Sequence, residues 1–99
     1  MPELLNDMEL GKALGGLPNW KKNGGALSRS VELASFPQAI EVVNRVAEIA
    51  ESDNHHPDID IRWRTLTFHC ATHSAGGITA LDVTLATEID GVIDTVTSA

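Results

Sequence analysis

The 99-residue chain has a single cysteine, few basic residues and no long apolar run. Cys70 on its own excludes an internal disulfide and leaves no second thiol for a zinc ribbon or a redox pair, so stability has to come from packing. Lys and Arg total 7 against 14 Asp and Glu, which gives a net charge of −7. A field of that sign repels phosphate backbones instead of releasing their counterions, and nucleic acid is excluded as the expected partner. No apolar stretch approaches the ~18 residues of a membrane span, and the opening MPELLNDMELGK lacks the basic start and apolar run of a signal peptide. The expectation is a soluble, cytoplasmic protein without a membrane partner.

What is present is ordinary for a globular domain, with 42% apolar and 21% charged residues. One domain spanning residues 1–99 is expected, able to bury roughly two thirds of the surface its unfolded chain exposes.

Local signals divide the chain. Asn6 with Glu9 forms a helix-capping pattern, Leu5 and Leu10 can staple it, and Gly15-Gly16 stops it, which predicts a first helix over about residues 7–14. Leu17 to Lys22 and Ala26 to Leu33 read as two extended segments joined by Asn23-Gly24-Gly25, a hairpin. Ser35 with Gln38 is a second capping box, and Pro37 fits a first helical turn because its missing N–H costs nothing there. Ala39, Ile40, Val43, Val46, Ala47 and Ala50 fall at helical spacing, with Val42 and Ile49 widening the stripe sideways. So wide an apolar arc suits a homo-oligomer contact as well as a deeply buried helix. Asp53-Asn54 and Pro57 end this helix.

From Ile59 to Thr72 the chain alternates, with Leu66, Phe68 and Cys70 on one face and Trp63, Thr65, Thr67 and His69 on the other. A long strand is predicted, bent near Arg62 or counting there as two strands. Gly76-Gly77 turns the chain, Thr79 with Asp82 resembles a capping box, and a last helix starts near Ala80 with Leu81, Leu85, Ile89, Val92 and Val96 facing inward; Thr97 to Ala99 should fray. This element order predicts an α+β sandwich: an antiparallel sheet covered on one face by helices.

The histidines carry the chemical interest. His55 and His56 adjoin at a helix exit, and His73 ends a strand before a glycine turn. Reactive side chains concentrate at element ends, and imidazole exchanges protons near neutrality. Taken alone, a His-His-Pro turn is equally a polar loop whose imidazoles cap the preceding helix. Three histidines can also bind zinc with one position open for water, but adjacent His-His is awkward for one ion and no hydrolase carboxylate pattern accompanies it, so no metal is expected. His69 and His73 lie well over ~10 Å apart on an extended strand, which leaves His69 out of the site. Cys70 reads as a core residue.

Glu51, three residues, His55-His56-Pro57, five residues, Trp63, nine residues, His73, eight residues and Asp82 together resemble the pterin-4a-carbinolamine dehydratase family. The flanks agree: Phe36-x-x-Ala39 and Val46-Ala47 precede the pattern, and Thr72-His73 and Gly77-Ile78-Thr79 accompany its end. The resemblance implies a four-stranded antiparallel sheet with helices on one face, in the order α-β-β-α-β-β-α, assembling into a homodimer or homotetramer through strand edges and helices. It implies loss of water from 4a-hydroxytetrahydrobiopterin to give quinonoid dihydrobiopterin, recycling a cofactor used by an aromatic amino acid hydroxylase, with no metal or organic cofactor and the reduced pterin as substrate. His55, His56 and His73 are the implied acid–base residues, and Asn54 to His56 with Thr72 to Ser74 the implied substrate lining, the latter partly through backbone groups.

Three further residues take supporting parts in this reading. Glu51, one turn back from His55, can orient an imidazole; Trp63 packs on the sheet or shapes the crevice; Asp82 caps the last helix and can also approach His73. Where the family is commonly aromatic around its second helix this chain has Val31, Leu33 and Ile40, and Asp58-Ile59 replaces a more aromatic pair after Pro57, which alters the pocket rim. The same family implies a rival reading, because some members act as dimerisation or assembly modules for other proteins.

Overall fold

The computed structural model describes residues 2–98. Helix α1 (Asp7–Gly15) opens on a full capping box between Asn6 and Glu9. Strands β1 (Lys21–Asn23) and β2 (Ala26–Glu32) form a hairpin turned at Gly24, whose φ of 61° only glycine adopts without cost. Helix α2 (Phe36–Asp53) follows, then β3 (Asp58–Arg62), β4 (Thr65–Cys70), a single 3₁₀ turn (His73–Ala75) and helix α3 (Ala80–Thr97). The strands make one antiparallel sheet in the order β1-β2-β4-β3, and the α+β fold with the order α-β-β-α-β-β-α is as expected.

Cross-strand register sorts the two faces of the sheet. Leu27 lies beside Cys70, Arg29 beside Phe68 and Val31 beside Leu66, and these rows meet the helices. The other face carries Ser30 beside Thr67 and Asp60, and Glu32 beside Thr65 and Arg62. Leu27, Leu66, Phe68 and Cys70 are fully buried with Val42, Val46, Ala86 and Ile89 of the helices. Each such large apolar side chain contributes about 1.5–3 kcal/mol by leaving water. Trp20 closes one end of the core and donates its indole N–H to Asp90 of α3 at 2.7 Å, an oxygen that Arg29 also binds.

Four expectations are corrected. The segment Leu17 to Trp20 is a turn, with Leu17 N–H bonded to Leu14 and Trp20 N–H to Leu17. Both side chains are buried, which an extended strand cannot achieve for residues three apart because they would face opposite ways. The run from Ile59 to Thr72 counts as two strands and not one bent strand, a hairpin broken at Trp63, which takes φ 54° and is 71% exposed at the tip instead of packing on the sheet. On α2 the buried line is Ala39, Val42, Val46 and Ala50; Val42 is central, and Ala47 is exposed. On α3 Leu81 is 44% exposed, while Leu85, Ile89, Val92 and Val96 face inward as expected. Thr97 ends α3 and the Ser98 N–H bonds to Asp94, while Ala99 lies outside the described residues.

Candidate functional site

Helix α2 ends on Asn54, which adopts the left-handed region at φ 51°, ψ 41°, a conformation asparagine tolerates better than most non-glycine residues. The His55 N–H bonds to the Ala50 carbonyl, and the Asn54 N–H to Glu51, so the helix stop is sealed by backbone bonds. Pro57 then holds the preceding residue extended. His55 and His56 are thereby fixed between a helix stop and a proline, at the entry to β3.

The second half of the site comes from the end of β4. Thr72 forms an isolated bridge with Gly77: its N–H donates to Gly77 at 2.8 Å, and its carbonyl accepts from Ala75 and Gly76 at 3.0 Å. Gly76 at φ 79° closes the 3₁₀ turn that His73 opens. The Thr72 backbone and hydroxyl are therefore committed to the fold, and within Thr72 to Ser74 it is His73 and Ser74 that can offer backbone groups outward.

These two stretches face each other across a cavity of about 280 Å³, lined by Asn54, His55, His56, Pro57, Asp58, Ala71, Thr72, His73 and Ser74. The predicted lining residues and all three predicted histidines meet there. Asp58 lies at the rim as expected, whereas Pro57 and Ala71 were not anticipated as lining. A cavity of about 310 Å³ elsewhere, between Pro18–Lys21 and Ser28–Ser30, holds no imidazole, and one of about 270 Å³ beside Asp53, Leu81, Thr84 and Glu88 is reached by His55 alone of the histidines.

Asp82 organises this site from beneath. It is completely buried, at 0% exposure, in the capping box of α3. One carboxylate oxygen accepts from the Thr72 hydroxyl at 2.8 Å and the Thr79 N–H at 2.9 Å, and the other lies 2.6 Å from His55 Nε2. Thr79 also bonds Thr72 hydroxyl to hydroxyl at 2.8 Å. With a carboxylate as acceptor, His55 Nε2 carries the proton, and the neutral ring keeps its lone pair on Nδ1. The expected approach of Asp82 to His73 is thus replaced by a bond to His55, 27 residues away in sequence.

Glu51 reaches His56, its Oε2 on His56 Nε2, and both side chains are exposed. Trp63 stands at the other end of the β3–β4 hairpin, about 16 Å along the strand from Asp58 at ~3.3 Å per residue, with the Arg64 guanidinium 4.9 Å over its ring. It is not part of the cavity wall. Among the described residues no group of His, Cys, Asp and Glu is arranged to hold a metal ion, and no helix is long and apolar enough to cross a membrane.

Comparison with known proteins agrees with this architecture. The sequence profile described as "Pterin 4 alpha carbinolamine dehydratase" matches residues 3–92. A protein of Nocardia farcinica is 57% identical over 88 residues, covering 89% of this chain and 93% of its own, and one of Mycobacterium avium is 52% identical over 90 residues, covering 91% and 96%. Both are provisionally named as pterin-4-alpha-carbinolamine dehydratases. A crystal structure of a Brucella melitensis protein described as a transcriptional coactivator/pterin dehydratase superposes with a TM-score of 0.86 at 30% identity, covering 89% of this chain and 96% of that one. A pterin dehydratase-like protein described as a RuBisCO assembly factor shares the fold at a TM-score of 0.61 and 15% identity, covering 74% of this chain and 84% of that one. With the profile running nearly end to end and relatives of this identity matched over nearly their full length, the chain belongs to the pterin-4α-carbinolamine dehydratase family.

Proposed function

We propose that the chain dehydrates 4a-hydroxytetrahydrobiopterin to quinonoid dihydrobiopterin, using His55, His56 and His73 without a metal or organic cofactor. The observation that carries this reading is the meeting of three imidazoles from two separate segments on one cavity, one of them bonded to a buried carboxylate. At about 280 Å³ the cavity sits just under the ~300 Å³ lower end of pockets that hold drug-sized ligands, a scale that suits a bicyclic ring.

The reaction needs two proton transfers. An imidazolium donates to the 4a-oxygen as the C4a–O bond breaks and water leaves. A neutral imidazole takes the N5 proton, and the N–H electron pair becomes the C4a=N5 double bond. Asp82 suits His55 to the second task, because the carboxylate stabilises the imidazolium that forms; His56 and His73 remain for the first. Each positioned acid or base contributes about 10²–10⁴ in rate. Asn54 and Ser74 hold the ring in this scheme, and Glu51 orients His56.

The reading extends to a cytoplasmic homodimer or homotetramer working beside an aromatic amino acid hydroxylase. The exposed Phe36 on α2, Ile61 on the edge strand β3 and Leu81 on α3 support the assembly, which sedimentation velocity tests.

The deciding experiment follows quinonoid product in a coupled hydroxylase assay for wild type, His55→Ala, His56→Ala and His73→Ala, with and without a chelator. Activity that survives the chelator and falls at least about tenfold in each folded variant is expected. A folded wild type that gives no acceleration would refute the proposal and turn the question to protein partners.

A further inference from the structure

The turn that carries His73 is built from pliable backbone. Its return limb is Gly76-Gly77, and Gly76 takes φ 79°. Glycine has more freedom to lose than any other residue, so two in succession make a poor support for a side chain that has to be held within about 0.5 Å of a productive position. The outgoing limb is tied to the sheet through β4. The return limb is paired with Thr72 through Gly77 and the Thr79 hydroxyl, and it is held from its other side as well.

The segment before α1 supplies that second hold. The Leu5 N–H donates to the Ile78 carbonyl at 2.9 Å, and Leu4 forms an isolated antiparallel bridge with Thr79. The Leu4 side chain lies against Gly77 so closely that a Cβ added at Gly77 would sit 3.0 Å from Leu4 Cδ2. Leu4 is nevertheless 54% exposed, a poor position for a leucine whose only task is to leave water. Leu5 is half-buried against the core, which fixes the other side of the strap. The contacts fall on Gly77, Ile78 and Thr79 in succession, between the His73 turn and the Thr79–Asp82 cap that holds His55.

We propose that Leu4 and Leu5 are positioning residues for His73: they strap down the Gly77–Thr79 limb and so hold the His73 turn at the fixed distance from His55 that the reaction requires. This rests on the dehydratase reading for its catalytic consequence, whereas the ordering of the turn stands apart from it. Leu4 does not touch the histidine cavity, so its effect is indirect.

The test uses Leu4→Ala, Leu4→Met and wild type. Leu4 is exposed enough that its truncation keeps the fold, with a melting temperature within a few degrees of wild type. Amide hydrogen exchange at Gly77, whose N–H bonds to Thr72 at 3.3 Å, reads the turn directly. Displacement of a catalytic group by about 1 Å can cost about 10²-fold, and a loosened turn that samples part of that range is expected to lower kcat about tenfold. Leu4→Ala should accelerate Gly77 exchange and lower kcat together, and Leu4→Met should restore both. In the Gly77→Ala background, whose added methyl crowds Leu4, truncating Leu4 should regain activity instead of losing it. Unchanged exchange in Leu4→Ala overturns the strap, and faster exchange with kcat unaltered overturns the positioning role. A wild type without dehydratase activity refutes the enzymatic reading alone, and Gly77 exchange then decides the strap.

Discussion

Replacing Asp82 by asparagine changes one atom at the centre of the site. Two donors, the Thr72 hydroxyl and the Thr79 N–H, converge on one Asp82 oxygen. An asparagine there has to keep its oxygen on that side and turn its NH₂ toward His55, because the opposite flip would set donors against donors. His55 Nε2 then has to accept, which moves the ring proton to Nδ1 and removes the lone pair that would take a proton from substrate. Two hydrogen bonds to a charged acceptor become bonds to a neutral one, at about 1 kcal/mol each, so the variant loses about 2 kcal/mol. Against a total of roughly 5–15 kcal/mol it still folds, with a melting temperature roughly 8–16 °C lower. Its kcat should fall by about 10²–10⁴, the whole contribution of one positioned base. The coupled assay measures the rate, and ¹⁵N chemical shifts of the imidazoles measure the tautomer. A folded Asp82→Asn enzyme with kcat within about threefold of wild type, and its His55 proton moved to Nδ1, would refute the assignment of His55 as base.

Further outcomes follow from individual side chains. Burial, with the negative charges of Asp82 and Asp58 adding to it, pushes the Cys70 thiol from 9.0 to about 12. The native protein should therefore resist thiol alkylation near pH 9, where the urea-unfolded chain reacts. The unfolded chain ionises first, so stability present below pH 9 should be lost as pH rises toward 12, and Cys70→Ala should flatten that decline in denaturant midpoints. Burial, a hydrogen bond with Asp53 and the Asp53 charge hold the Glu88 carboxyl above its usual 4.5. The fold favours the neutral carboxyl, so the stability this contributes is present below pH 4.5 and lost as pH rises above it, and Glu88→Gln, which is neutral at every pH, should melt higher than wild type at pH 7 and lose that advantage toward pH 4. On α2, Ala47→Lys should shift the melting temperature by no more than a few degrees, whereas Ala50→Lys, at a position 2% exposed, should unfold the chain or nearly so.

Much of this architecture was legible in the sequence because its signals are local. The Asn6–Glu9, Ser35–Gln38 and Thr79–Asp82 patterns are caps in the folded chain, and the alternation of Leu66, Phe68 and Cys70 marks the helix-facing side of β4. Whether this run is one strand or the two strands β3 and β4 was left open by the residues themselves, because no glycine, proline or asparagine marks the tip. An aromatic residue in the left-handed region makes the turn, and nothing in composition announces that. The orientation of α2 was off by part of a turn because Ala47 and Val42 are both apolar and only packing against α3 chooses between them. The three histidines were legible as a group. The bond from Asp82 to His55 was not, since residues 27 apart meet only through the tertiary fold. Asp82 was readable as a cap, and its second duty follows from where α3 begins relative to the end of α2.

The placement of the two tryptophans also has a spectroscopic consequence. Trp20 is 5% exposed and hydrogen-bonded to Asp90, while Trp63 is 71% exposed at a hairpin tip. Trp63 fluoresces from water before and after unfolding, so the red shift on denaturation belongs to Trp20 and reports the junction between α3 and the β1–β2 hairpin. Iodide should quench Trp63 selectively in the native protein, leaving a blue-shifted residual spectrum from Trp20. The chain thus contains an emitter for its core and a second one for its surface, and no label has to be introduced to tell them apart.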